Sequence, residues 1–119
     1  MKILIFEDNK NIAEAMRIVL NENGHNVNLA FDTSSVLQKI KKIKPKLIIL
    51  DFYLSKTNGG QLSKKIKEQR DFQSTPIVMI SASTEPQTAA IKCHIDDFLL
   101  KPFEIKDLLS IVNKYDQKN

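Results

Sequence analysis

Five polar side chains stand at matching places in this sequence: Glu7 with Asp8, Asp51, Ser81 and Lys101 each follow directly on a short apolar run. Three carboxylates, a hydroxyl and an ammonium gathered at one crevice would hold a hard cation and receive a phosphoryl group. Carboxylates 4 Å apart repel by about 4 kcal/mol per pair at an effective dielectric near 20, so such a site needs positive charge. Lys101 supplies one charge, and a divalent ion held through oxygen would supply the rest. All-oxygen ligation with few protein donors and room for water suits Mg2+ better than zinc. Carboxylates, Mg2+ and lysine without a glycine-rich loop suit a phosphoryl group brought in by another molecule. Taken alone, Asp51 reads equally well as a helix or turn cap; the joint placement of acids, hydroxyl and lysine separates the two readings.

For these groups to meet, the runs before them must be strands of one parallel sheet, whose carboxyl ends open on a common crevice. Residues 2–6, 47–50 and 77–80 are apolar runs of the kind found in strands buried on both faces, and 98–100 is a shorter one. Val27, Leu29 and Phe31 alternate with Asn26, Asn28 and Ala30, which marks an edge strand with one wet face. Helical patterns lie between. Asn9 caps the first, with Ile12, Ala15, Met16, Val19 and Leu20 inward and Gly24 ending it. Asp32 or Thr33 starts the second, which turns Val36, Ile40 and Ile43 inward and closes before Pro45. The third follows Gly59-Gly60 with Leu62 and Ile66 inward. A short fourth, capped by Thr84 with Pro86 in its first turn, has a thin apolar face of Ala89, Ala90 and Ile91 and is expected to be weakly held. The last buries Ile105, Leu108, Leu109, Val112 and Tyr115. Strand and helix alternate five times, the pattern of an α/β fold with a five-stranded parallel sheet covered on both faces.

At 119 residues the chain fits one domain, expected over residues 1–119 with no output domain. No stretch is apolar enough to span a bilayer and no signal-peptide pattern precedes the first strand, so the expected location is cytoplasmic, without membrane contact. The one cysteine, Cys93, lacks Cys or His neighbours at zinc spacing and reads as an inert thiol. The net charge of +4 is unevenly spread, with Lys39, Lys41, Lys42, Lys44 and Lys46 in one segment and Lys64, Lys65, Lys67 and Arg70 in another. No recognition motif or aromatic platform accompanies them, so direct nucleic-acid binding is not expected. Solvated helix faces are the plain reading, and docking of an acidic protein partner is the second. His25, in a turn, and His94, in a loop, read as surface residues.

Glu7-Asp8, Asp51, Ser81 and Lys101-Pro102-Phe103, in this order and at this spacing, resemble the receiver domain of two-component response regulators along the whole chain. The resemblance implies the doubly wound, flavodoxin-like fold with strand order 2-1-3-4-5. It implies that Asp51 accepts a phosphoryl group from a phosphohistidine on a sensor histidine kinase or a histidine phosphotransfer protein. Asp8, Asp51 and the main-chain carbonyl of Tyr53 would bind Mg2+, with Glu7 acting through water. Lys101 would pair with the phosphoryl oxygens as a compact point charge. Ser81 and Phe98 would form the switch, the serine moving to the phosphoryl group and the ring turning into the space it leaves. Lys101-Pro102 would be cis, an arrangement only an X-Pro bond adopts at modest cost.

On the same resemblance the chain catalyses only its own phosphorylation and dephosphorylation. Its output is a population shift that alters contacts with a downstream target protein. The readout face is the helix after Thr84 together with the last strand and last helix, on a monomer or a weak phosphorylation-dependent dimer. Ser55, where many members have proline, and His94, where glycine often precedes the acidic pair, depart from the pattern. Tyr53 and Ser83 occupy positions at which the family tunes dephosphorylation.

Other readings fit less well. A haloacid-type phosphatase needs a second Asp two residues after the nucleophile, and Tyr53 stands there. A flavodoxin-type cofactor binder needs a hydroxyl- or glycine-rich phosphate loop where this chain has Glu7-Asp8-Asn9. A vestigial receiver acting only as a binding module would not need the full set of acids, hydroxyl and lysine. A receiver belonging to a larger transcription factor or a hybrid histidine kinase fits as well as a stand-alone regulator.

Overall fold

The uninterrupted apolar runs become strands with a core on each side. In the computed structural model, which describes residues 1–54, 57–82 and 95–117, β1 (Lys2–Phe6), β3 (Leu47–Asp51) and β4 (Ile77–Ser81) hold the centre of one sheet. β2 (Asn26–Ala30) and β5 (Asp97–Leu100) form its edges. The order is β2-β1-β3-β4-β5 and every pairing is parallel.

Side chains alternate along a strand, so each central strand feeds two cores. Ile3, Ile5, Leu47, Ile49, Val78 and Ile80 pack against α1 (Lys10–Glu22) and α4 (Ile105–Asp116), through Met16, Leu20, Leu108 and Val112. On the other face Leu4, Phe6, Ile48, Leu50 and Ile77 pack against α2 (Val36–Ile43) and α3 (Gly59–Glu68), through Val36, Ile40, Leu62 and Ile66. A strand flanked by two cores has no wet side to alternate with, which is why the runs are continuous. Truncating one of these residues to alanine costs roughly 2–5 kcal/mol.

The helix ends are set by local chemistry. The Asn9 side chain accepts from the backbone N–H groups of Asn11 and Ile12 at 3.0 and 3.1 Å, starting α1 where the sequence placed it. Asn58 accepts from the N–H of Gln61 at 2.8 Å and starts α3. Lys44, at φ 53°, closes α2 in the left-handed region and delivers the chain to Pro45. Glu104 and Asp107 cap α4 reciprocally.

Several expectations are corrected. Ala13 rather than Ala15 enters the core, while Ala15 is exposed and Ile12 and Val19 are half-buried. β2 stops at Ala30, which is buried, and Phe31 turns outward beneath Lys10, whose Nζ lies 5.7 Å from the ring centre. Ile105 is 60% exposed, because the first residue of α4 lies beyond the edge of the core. His25 is buried, with Nδ1 3.2 Å from the Met1 amino group; burial, then that ammonium, lower its pKa. The helix expected after Thr84, together with Ser55, Ser83, Cys93 and His94, lies outside the described residues. Among the described residues no helix is long and apolar enough to cross a membrane.

Candidate functional site

The strand registers carry the polar residues to one mouth. Phe6 pairs with Leu50, so Glu7 emerges level with Asp51. Asp51 pairs with Ile80, which puts Ser81 one residue further along. Ser81 pairs with Leu100, and the N–H of Lys101 then donates to the Ser81 carbonyl at 2.8 Å. The lysine side chain reaches back over the strand ends. Its Nζ lies 2.9 Å from Glu7 Oε1 and 3.1 Å from Asp51 Oδ2.

Glu7 is 2% exposed and Asp51 8%, so two carboxylates share one ammonium largely out of water. The other oxygens are less well served. Asp51 Oδ1 accepts from the N–H of Tyr53 at 3.3 Å, and Glu7 Oε2 is buried with no hydrogen-bond partner. Burial, and after it Asp51, push the Glu7 carboxyl up to about 7, against the opposing pull of Lys101. For Lys101 burial acts downward, but Glu7 and Asp51 outweigh it and hold the ammonium above its ordinary value. The site is thus short of positive charge.

The convergence of three carboxylates is only partly realised. Glu7 turns inward to Lys101, whereas Asp8, the next residue, is exposed. Among the described residues no three His, Cys, Asp or Glu side chains lie close enough together to hold a metal ion. The fit to Mg2+ is therefore one of chemistry: hard oxygen donors only, an excess of negative charge, and the orphaned Glu7 Oε2.

Ser81 is fully buried at the end of β4, and Phe98 is half-buried on β5. Phe98 pairs with Met79 and Leu100 with Ser81, so ring and hydroxyl belong to the same face of the sheet. The Lys101-Pro102 peptide is cis, as the resemblance implied. Tyr53 is 52% exposed, its ring edge-on to Phe52 with centroids 4.9 Å apart.

One contributor escaped the sequence. A Cβ on Gly59 would lie 2.7 Å from the Asp51 carbonyl and 3.0 Å from Phe52 Cα, so only glycine lets α3 start against the strand end. The Gly59 N–H donates to Phe52 O at 2.7 Å and fixes that approach. Gly59-Gly60 was the available signal, a glycine pair between an acid and a helix. A groove of about 480 Å3 beside Lys101 was also missed; it is lined by Ile12, Ala15, Val19, Pro102 and Phe103 among others.

Residues 3–113 match the family model of the response regulator receiver domain. The chain belongs to that family. Among relatives, this receiver is 36% identical over 111 residues to the response regulator ArlR of Staphylococcus aureus, covering 92% of the chain and 49% of the relative. The receiver thus spans about half the length of the curated relatives it matches. It superposes with a TM-score of 0.89 on a two-component response regulator from Clostridium difficile, at 30% identity, covering 98% of this chain and 96% of that one. The chemotaxis response regulator CheY4 of Vibrio cholerae gives 0.89 at 26% identity, covering 96% and 97%. The flavodoxin-like receiver fold follows from the strand order and these likenesses together.

Proposed function

We propose that this receiver accepts a phosphoryl group on Asp51 from a phosphohistidine of a sensor histidine kinase or a histidine phosphotransfer protein. The observation that carries the reading is the Lys101 ammonium, bonded to both Asp51 and Glu7 at the mouth of the sheet. An Asp51 oxygen forms the bond to phosphorus, the P–N bond breaks, and the imidazole nitrogen leaves with its electron pair and takes up a proton. Lys101 is placed to turn from the carboxylates to the phosphoryl oxygens as negative charge moves there. Asp8, Asp51 and the Tyr53 carbonyl would hold Mg2+, with Glu7 behind them. When bound, the ion would neutralise the acids and the phosphoryl oxygens.

Ser81 and Phe98 share a face, which suits a coupled switch in which the serine moves toward the phosphoryl group and the ring follows. The chain catalyses only these transfers on itself. Its output runs through contacts to a target protein or to an attached domain, as a stand-alone regulator or as part of a longer one. The test is labelling with acetyl phosphate and Mg2+, read by intact mass. One phosphoryl group is expected on the native chain and none on Asp51→Asn. Undiminished labelling of that variant would remove Asp51 from the role.

A further inference from the structure

Of the lysines clustered around the end of α2, Lys41 sits in the last turn of the helix, but Lys44 and Lys46 lie beyond it, in the connection to β3. Lys41, Lys44 and Lys46 line one wall of a groove of about 700 Å3 at the amino end of the sheet, opposite the end that carries Asp51. Ser74 and Thr75 line the facing wall, and half-buried Pro76 gives apolar surface between them, while Pro45 and Phe72 in the lining are buried. All three lysines are exposed, and none of them forms an ion pair among the described residues. Asp71 is the single acid of the lining.

Both walls are fixed by bonds that do not use the lining lysines' charges. Lys44 N–H donates to Ile40 O at 2.8 Å and Lys46 N–H to Lys2 O at 2.8 Å. Across the groove Lys67 Nζ donates to the carbonyls of Gln73 and Thr75 at 3.2 and 2.5 Å and pairs with Asp96 at 3.1 Å. A groove held open in this way pays little ordering entropy when it is filled, and its free cations remain available to a ligand.

The geometry points to a docking site for an acidic peptide segment of a partner protein, occupied whether or not Asp51 is phosphorylated. Charge complementarity chooses the sign, and the half-buried Pro76 leaves room for one apolar side chain set between carboxylates. Nucleic acid fits less well: the lining has no arginine fork to read base edges, and its one ring, Phe72, is 6% exposed and offers no stacking platform. The lysines, as point charges without a fixed fork, take carboxylates in varied arrangements.

The test is fluorescence anisotropy of the full chain with a fluorescein-labelled decapeptide of Asp and Glu around one central Leu. Binding is expected to weaken as salt is raised. It should fall roughly tenfold or more in Lys41→Glu with Lys46→Glu. The matched pair Lys64→Glu with Lys65→Glu makes the same charge change on α3, outside the groove, and should bind like the parent. Circular dichroism melts confirm that both variants are folded. Affinity should also be unchanged in Asp51→Asn and after acetyl phosphate treatment. An equal loss in the α3 pair, no loss in the groove pair, a dependence on phosphorylation, or tighter groove binding by a single-stranded oligonucleotide of equal charge would each overturn the assignment.

Discussion

Replacing Glu7 by glutamine tests the electrostatics of the mouth directly. The carboxyl stands at about 7 in the folded chain against an ordinary value of 4.5, and the residue is 2% exposed, so solvent screens it little. A raised carboxyl pKa gives stability that is complete below pH 4.5 and is lost as pH rises through about 7, because only the folded state keeps the proton in between. A rise from 4.5 to about 7, at about 1.4 kcal/mol for each tenfold change in the proton equilibrium, amounts to about 3.5 kcal/mol in full. Glutamine keeps an oxygen for Lys101 and cannot ionise. The stability of Glu7→Gln minus that of the parent should therefore climb by roughly 3 kcal/mol between pH about 4.5 and about 8, with titrations remote from the mouth cancelling in the difference. Urea unfolding followed by circular dichroism in EDTA measures it at each pH. A difference flat to within about 0.5 kcal/mol would refute the claim that burial and Asp51 hold this proton in place.

Three further substitutions probe the same frame. Lys101→Met leaves two buried carboxylates without their ammonium and should lose roughly 3–5 kcal/mol at pH about 8 in EDTA, part of it restored by Mg2+; unchanged urea unfolding would contradict the pairing. Gly59→Ala forces a Cβ to within 2.7 Å of the Asp51 carbonyl and should cost roughly 1–3 kcal/mol in a thermal melt. An alanine variant as stable as the parent would mean that α3 backs away freely. Tyr115→Phe removes the hydroxyl that donates to Asp97 Oδ2 at 3.1 Å and should cost about 1 kcal/mol, so an unaltered melting temperature would show that bond to be inert.

Sequence alone reached the sheet order only through resemblance, but it reached the strands and their polar ends from pattern. Strands between two cores must be apolar throughout, and a chain leaving such a strand must become polar, so residues 47–51 and 77–81 announce themselves. Edges and rims were harder. Ala15 and Ala13 carry the same small side chain, and only packing decides which faces inward. Ile105 and Phe31 are apolar yet lie just past the end of a core, where periodicity continues but the neighbours do not. Pattern did not tell Glu7 from Asp8, and only the resemblance gave them different roles; the structure gives one to Lys101 and the other to solvent. The Gly59-Gly60 pair was visible, but its purpose was not, because the clash that Gly59 avoids is with the Asp51 carbonyl across a tertiary contact.

The placement of the two tyrosines has a spectroscopic consequence. The chain has no tryptophan, so its ultraviolet emission comes from Tyr53 and Tyr115 alone. Tyr115 donates to a carboxylate, an arrangement that quenches phenol fluorescence, whereas the ring of Tyr53 stands in solvent two residues from Asp51. Tyrosine light emitted by the unlabelled protein therefore reports mainly on the loop beside Asp51, and a stopped-flow trace would follow events at that loop in real time without any dye.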